Sequence, residues 1–155
     1  MCRFPYLGVQ MRSDLWDRSG LLGPTSRIAR GRGLHVIALE PDAELARFAD
    51  GADLVATFRV NHCACDWGTS QYEALAALTS DLLLAKDVRR VRVGIWWADR
   101  GPVGGGPDGA LRMREIDTDE LAGVDWAHDI ALEVRRAAHP PYATTILRKL
   151  ANGLE

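Results

Sequence analysis

The chain has 155 residues, a length that suits one compact domain able to bury about two-thirds of the surface it exposes when unfolded. Its 47% hydrophobic and 26% charged residues are those of an ordinary globular protein, so folding needs neither a disulfide framework nor a metal. A net charge of -2, with only the short basic stretch Arg27-Ile28-Ala29-Arg30-Gly31-Arg32, argues against nucleic acid as the main ligand, because such binders carry a basic excess matched to several phosphates. No run approaches the roughly 20 apolar residues of a membrane span, and the N-terminus shows no apolar stretch of signal-peptide length. The expected compartment is therefore the cytoplasm, with no membrane association.

In chain order, Met1 to Gly33 reads as an irregular head. Pro5, Pro24 and several glycines interrupt it, and no period of 2 or 3.6 is sustained beyond a short strand near Arg3–Val9. The ordered body, residues 34–155, begins with Leu34–Leu39, a short apolar run that predicts a buried strand. Asp42 can cap a helix running through Phe48, with Gly51 as its stop. Asp53–Val60 predicts a second strand. From Thr69 or Ser70, residues Tyr72, Leu75, Ala76, Leu78, Thr79, Leu82 and Leu83 recur at helical spacing to about Lys86. Val91–Trp97 is a third strand with Val91, Val93, Ile95 and Trp97 on one face, followed by the glycine-rich loop Gly101–Gly109. Leu111–Ile116 and Ile130–Val134 alternate as further strands, Asp119–Ala122 makes one helical turn, and Tyr142–Leu150 has a helical pattern.

Strands alternating with helices predict an α/β fold: a single domain, 1–155, with a mixed β-sheet of about four to six strands and helices after strands 1 and 2. The last two strands are expected to pair antiparallel to a neighbour, because the connections around them are too irregular for helical crossovers.

The chemistry concentrates in the cysteines. Of three, Cys63 and Cys65 lie in the segment His62-Cys63-Ala64-Cys65-Asp66-Trp67 and Cys2 near the start. An odd number in a reducing cytosol favours free thiols, a metal or a redox pair over a disulfide framework. If the strand continues past Val60, Cys63 and Cys65 project to one face, roughly 6–7 Å apart at their Cα atoms. That is close enough to share a zinc ion with sulfur ligands about 2.3 Å away. Cys2 can supply a third ligand if the head folds over this end of the sheet. A fourth can come from His62, Asp66 or His35, or the position can stay open to water. Two other readings use the same residues: a redox pair or thiol-dependent enzyme at Cys63 and Cys65, and cysteines that simply fill the core of an interaction protein, such as one that neutralises a toxin.

The order of features resembles a small uncharacterised bacterial family. Its members begin Met-Cys and carry a mid-chain Cys-Gly-Cys-Gly-aromatic motif, then a helix, then a strand ending in Trp and acidic residues. The matching positions are Met1-Cys2, Cys63-Ala64-Cys65-Asp66-Trp67, the helix to Lys86, and Trp97-Ala98-Asp99. Ala64 and Asp66 stand where that family has glycines. The resemblance implies that the three cysteines form a set, with Trp67, Trp97 and Asp99 as auxiliary residues, and implies no reaction.

Other signals are weaker. The opening Met-Cys-Arg also matches amidotransferases with an N-terminal cysteine nucleophile, but those domains are longer and built of two stacked sheets. Gly101–Gly109 lacks the Lys-Ser/Thr ending of a phosphate-binding loop. His35, His62, His128 and His139 are scattered and form no hydrolase motif. Trp96 and Trp97 fall on opposite faces of their strand, so an exposed one beside Asp99 and Arg100 would make a platform for a protein partner or ligand.

Overall fold

A computed structural model of the chain describes residues 2–43, 45–59, 64–97 and 112–138. Six strands form one sheet: β1 (Arg3–Met11), β2 (Val36–Ala38), β3 (Leu54–Phe58), β4 (Val88–Trp97), β5 (Met113–Asp117) and β6 (Ile130–Arg135). Their spatial order is β2-β3-β1-β4-β6-β5, and every neighbouring pair is antiparallel except β5 with β6. It follows that β1 and β2 run parallel with β3 between them, while β3 and β4 run parallel with β1 between them. Helix α1 (Arg18–Gly31) joins the first pair and α3 (Thr69–Leu84) the second, giving two interleaved split βαβ units. The α/β class and the mixed sheet agree with the sequence reading. So do the helices after strands 1 and 2: α2 (Ala46–Ala49) follows β2, and α3 follows β3.

The head departs from expectation. Instead of an irregular segment it supplies β1, which lies between β3 and β4 inside the sheet, and the fourteen-residue helix α1. Pro5 is tolerated in an inner strand because of where its missing N–H points. The Arg3 amide and the Pro5 carbonyl both face the β3 side, and the ladder with β3 begins only at Tyr6 opposite Thr57. No ladder donor is lost there, and the Thr57 hydroxyl donates to the Pro5 carbonyl at 2.8 Å. Helix α1 contains Gly20, Gly23 and Pro24, which cost about 1 kcal/mol per glycine and about 3 for proline relative to alanine. Packing overrides that penalty: Leu21, Thr25 and Ala29, four apart, are buried on one stripe, and Asp17 caps the first turn by accepting from the Gly20 amide at 2.7 Å.

Helix α3 follows its pattern, burying Leu75, Leu78, Thr79, Leu82 and Leu83. Together with α1 it covers one face of the sheet, where Leu7, Val9, Val91, Val93, Ile95 and Leu132 complete the main core. Each such fully buried side chain contributes about 1.5–3 kcal/mol. The opposite face carries a smaller cluster of Leu45, Phe48, Trp96 and Ala131, with Tyr6, Leu39 and Met113 packed against it.

Two further expectations are corrected or refined. β6 pairs antiparallel with β4, as anticipated, but β5 pairs parallel with β6. The twelve residues between Asp117 and Ile130 include the 3₁₀ helix Thr118–Gly123, enough chain to return to the same end of the sheet. Asp42 accepts from the Leu45 amide at 3.0 Å and so starts the turn ahead of α2, while Gly51, at φ 70°, ends it in the left-handed region. The Gly101–Gly109 loop and the Tyr142–Leu150 pattern lie outside the described residues. Among the described residues no helix is long and apolar enough to cross a membrane.

Candidate functional site

The start of β1 organises one end of the sheet. Arg3 sits opposite Trp97, the last residue of β4, and its side chain turns to the helix-covered face. There the guanidinium, on a residue only 6% exposed, donates to the Tyr72 hydroxyl at 3.2 Å, the Trp126 carbonyl at 3.3 Å and the His128 carbonyl at 2.8 Å. Asp129 lies 3.5 Å from its Nε. Its terminal nitrogens are thus hydrogen-bonded, while the buried Nε makes no hydrogen bond and is balanced by the Asp129 charge, as a buried guanidinium requires. Arg3 therefore fastens the first strand to α3 and to the turn at 124–129.

The Arg3 backbone amide points the other way, toward the β3 side, and donates to Cys65 Sγ at 3.3 Å. Cys65 belongs to a 3₁₀ turn, Ala64–Asp66, and not to a continuation of β3, which ends at Phe58. The condition that the strand continue through Cys65 is therefore not met, while Cys63 lies outside the described residues. The physical reason is periodicity: with three residues per turn, positions three apart share a face. Ala64 and Trp67 point inward at 1% and 6% exposure, leaving Cys65 and Asp66 exposed. Trp67 is a core residue, edge-on to Phe58 and to Tyr72 with centroids 5.9 Å away in each case. Tyr72 in turn stacks on Trp126 at 6.2 Å. Four rings thus form a row beneath the cysteine turn.

The predicted site residues divide into three groups. Cys65 accepts from the amide of Arg3, the residue after half-buried Cys2; Asp66 is exposed next to Cys65 in the chain, and Trp97 is half-buried opposite Arg3 at the neighbouring strand end. His35 is exposed at the start of β2, its carbonyl accepting from the Arg59 amide at 2.8 Å. It is at the same end of the sheet but one strand further out than β3. His62, Cys63 and Asp99 lie outside the described residues. Among the described residues no group of three or more His, Cys, Asp or Glu side chains is placed to hold a metal.

The sequence reading missed Arg3, Tyr72, Trp126 and Asp129 as parts of this end. Tyr72 was visible as a helix-face residue; nothing in the local pattern tied the other three to the cysteines. It also left His128 among scattered histidines, although its Nδ1 lies 2.8 Å from Asp125 Oδ2 on the same turn. Hydrogen bonds from the Ala127 amide and the His128 ring hold the exposed Asp125 carboxyl below the usual carboxylate range. No protein family, curated protein or solved structure matches the chain.

Proposed function

We propose that this end of the sheet is a thiol-based metal site in a small binding or interaction protein of the cytoplasm, with Cys2, Cys63 and Cys65 as sulfur ligands and His62 as the fourth. The observation that carries this reading is the Arg3 amide donating to Cys65 Sγ, which ties the residue next to Cys2 to the second cysteine. A backbone N–H aimed at sulfur favours the thiolate, the form that binds metal, and such hydrogen bonds tune sulfur ligands in metal centres. Zinc fits a donor set of thiolates and imidazole best, and a reducing compartment keeps those thiols available. Arg3 then serves as a positioning residue, since its side chain is held by α3 and the 124–129 turn while its amide holds the sulfur.

A thiol redox role is the second reading, favoured by the exposure of Cys65, because reactive thiols are accessible ones. Metal analysis of the full chain, purified without chelator or histidine tag, separates the two. The metal reading expects about one equivalent of zinc, lost in both Cys2→Ser and Cys65→Ser while the circular dichroism spectrum is retained. Zinc-free protein in which Cys65 oxidises reversibly under mild conditions would replace it with the redox reading. Zinc retained in both variants would overturn the cysteine set itself.

A further inference from the structure

A cleft of about 520 Å³ opens between the first half of α3 and the segment that runs from the 3₁₀ helix into the 124–129 turn. That volume is typical of small-molecule sites. Leu121 and Val124, 3% and 9% exposed, give it an apolar floor. Tyr72 and Glu73 stand on the α3 wall, Asp125 and Trp126 on the other.

Both walls are fixed from beneath. The Arg3 guanidinium donates to the Tyr72 hydroxyl on one side and to the Trp126 carbonyl on the other, at 3.2 and 3.3 Å. The two half-buried rings lie 8° from parallel with centroids 6.2 Å apart. Walls held in place before a ligand arrives reduce the freedom lost on binding.

The charge of the cleft is one-sided. Glu73 and Asp125 line it, and no lysine, arginine or histidine does so among the described residues. Asp125 is already engaged, by the Ala127 amide at 3.0 Å and the His128 ring at 2.8 Å, and those contacts keep its carboxyl ionised. Glu73 is different: it is exposed and, among the described residues, has no hydrogen bond or ion pair. The positive charge of Arg3 is offset by Asp129, 3.5 Å from its Nε. With that pair included, the cleft carries an excess of two negative charges when His128 is neutral and of one when it is protonated. Aromatic rings attract a cation within about 6 Å of their centroids, and a concave acidic site focuses potential on one. A free carboxylate beside two rings, above an apolar floor, suits a ligand with a cationic head and a hydrocarbon body.

We propose that this cleft binds a small organic amine in its ammonium form, with Glu73 pairing the charge, the Tyr72 and Trp126 rings contacting it, and Leu121 and Val124 receiving the hydrocarbon part.

The experiment titrates the full chain with benzylammonium chloride and, in parallel, with its neutral analogue benzyl alcohol, at constant ionic strength set with sodium chloride. Amide and indole N–H chemical shifts report binding. Saturable shifts at the Glu73 amide and the Trp126 indole are expected with the ammonium, at an affinity roughly tenfold or more above that of the alcohol, the worth of one charge-assisted contact. Glu73→Gln, at an exposed position, removes that advantage and weakens ammonium binding by the same factor. Asp14→Asn, an equal loss of exposed charge past the far end of β1, leaves it unchanged. Non-saturating shifts with the ammonium, equal affinity for the alcohol, or binding that Glu73→Gln does not change would each overturn the proposal. So would equal weakening by Asp14→Asn. None of these outcomes depends on whether the cysteines hold a metal.

Discussion

On the helix side of β1 and β4, Leu7, Val9, Val91, Val93 and Ile95 meet α1 and α3 in contacts that are almost entirely apolar. On the other side the alternate residues of the same two strands are Tyr6, Gly8, Arg92, Gly94 and Trp96. Because successive side chains point to opposite faces, one pair of strands builds both environments. The helix side is stabilised by burial that is indifferent to pH. The open side balances rings, glycines and buried charge, and each part depends on its neighbours. The Trp96 ring lies over Gly94, whose missing Cβ would stand 2.0 Å from a ring carbon. Tyr6 lies 4.5 Å from Trp96, ring to ring, and Phe48 meets Trp96 edge-on at 5.4 Å.

The contrast is broken most severely at Glu133. Glu133→Gln leaves three guanidiniums without their shared carboxylate and is expected to destabilise by about 3–5 kcal/mol, the usual cost of removing one partner of a buried pair. Its pH signature has a definite sign. Burial pushes the Glu133 carboxyl up, but hydrogen bonds from Arg90 and Arg135 and the charges of Arg90 and Arg92 outweigh it and hold the group below its ordinary value of 4.5. A carboxyl depressed in the folded state contributes stability that is present above 4.5 and lost as pH falls through and below it. Urea midpoints should therefore drop in the wild type between about pH 7 and about pH 3. The share of that drop due to Glu133 should vanish in Glu133→Gln; an unchanged acid limb would show that this network does not stabilise the fold.

Leu78→Ala sharpens the other side. Leu78, on the sheet-facing side of α3, is fully buried, so the variant should lose about 2–5 kcal/mol through lost transfer energy and a cavity. This loss should be the same at neutral and acid pH, in contrast to Glu133→Gln. A smaller effect is expected at Gly94→Ala, about 1–3 kcal/mol, because the added methyl forces the Trp96 ring aside. Near-ultraviolet circular dichroism should report the displaced indole. A silent substitution would mean that Trp96 is not seated as described.

Much of the fold was legible from local pattern. The 3.6 period of Leu75, Leu78, Leu82 and Leu83 marked α3, and the alternation of Val91, Val93 and Ile95 marked β4 with its buried face. The cysteine segment was located in the sequence, but the condition that the head fold over that end of the sheet was not what occurred: the head runs inside the sheet as β1, and it is the Arg3 amide that reaches Cys65. Less legible were the elements whose local signals conflict with their place. A short strand near Arg3–Val9 was read, but nothing in it signalled an inner strand, and the glycines and Pro24 made α1 look like a loop.

By itself the sequence determined the α/β class, the long amphipathic helix, the hydrophobic strand cores and the clustering of thiols, because each of these follows from neighbours within a few residues. Only the tertiary structure decided that β1 runs inside the sheet, that β5 lies parallel to β6, that Cys65 sits on a 3₁₀ turn, and that Arg3 joins α3 to the 124–129 turn. The Arg3 contacts reach partners 62 to 125 residues distant, β5 pairs with residues well along the chain, and Pro5 is accepted because its missing N–H points past the end of the β3 ladder. No periodicity along the chain encodes them, because the free energy that selects them comes from burial and hydrogen bonds between segments that meet only in the folded state.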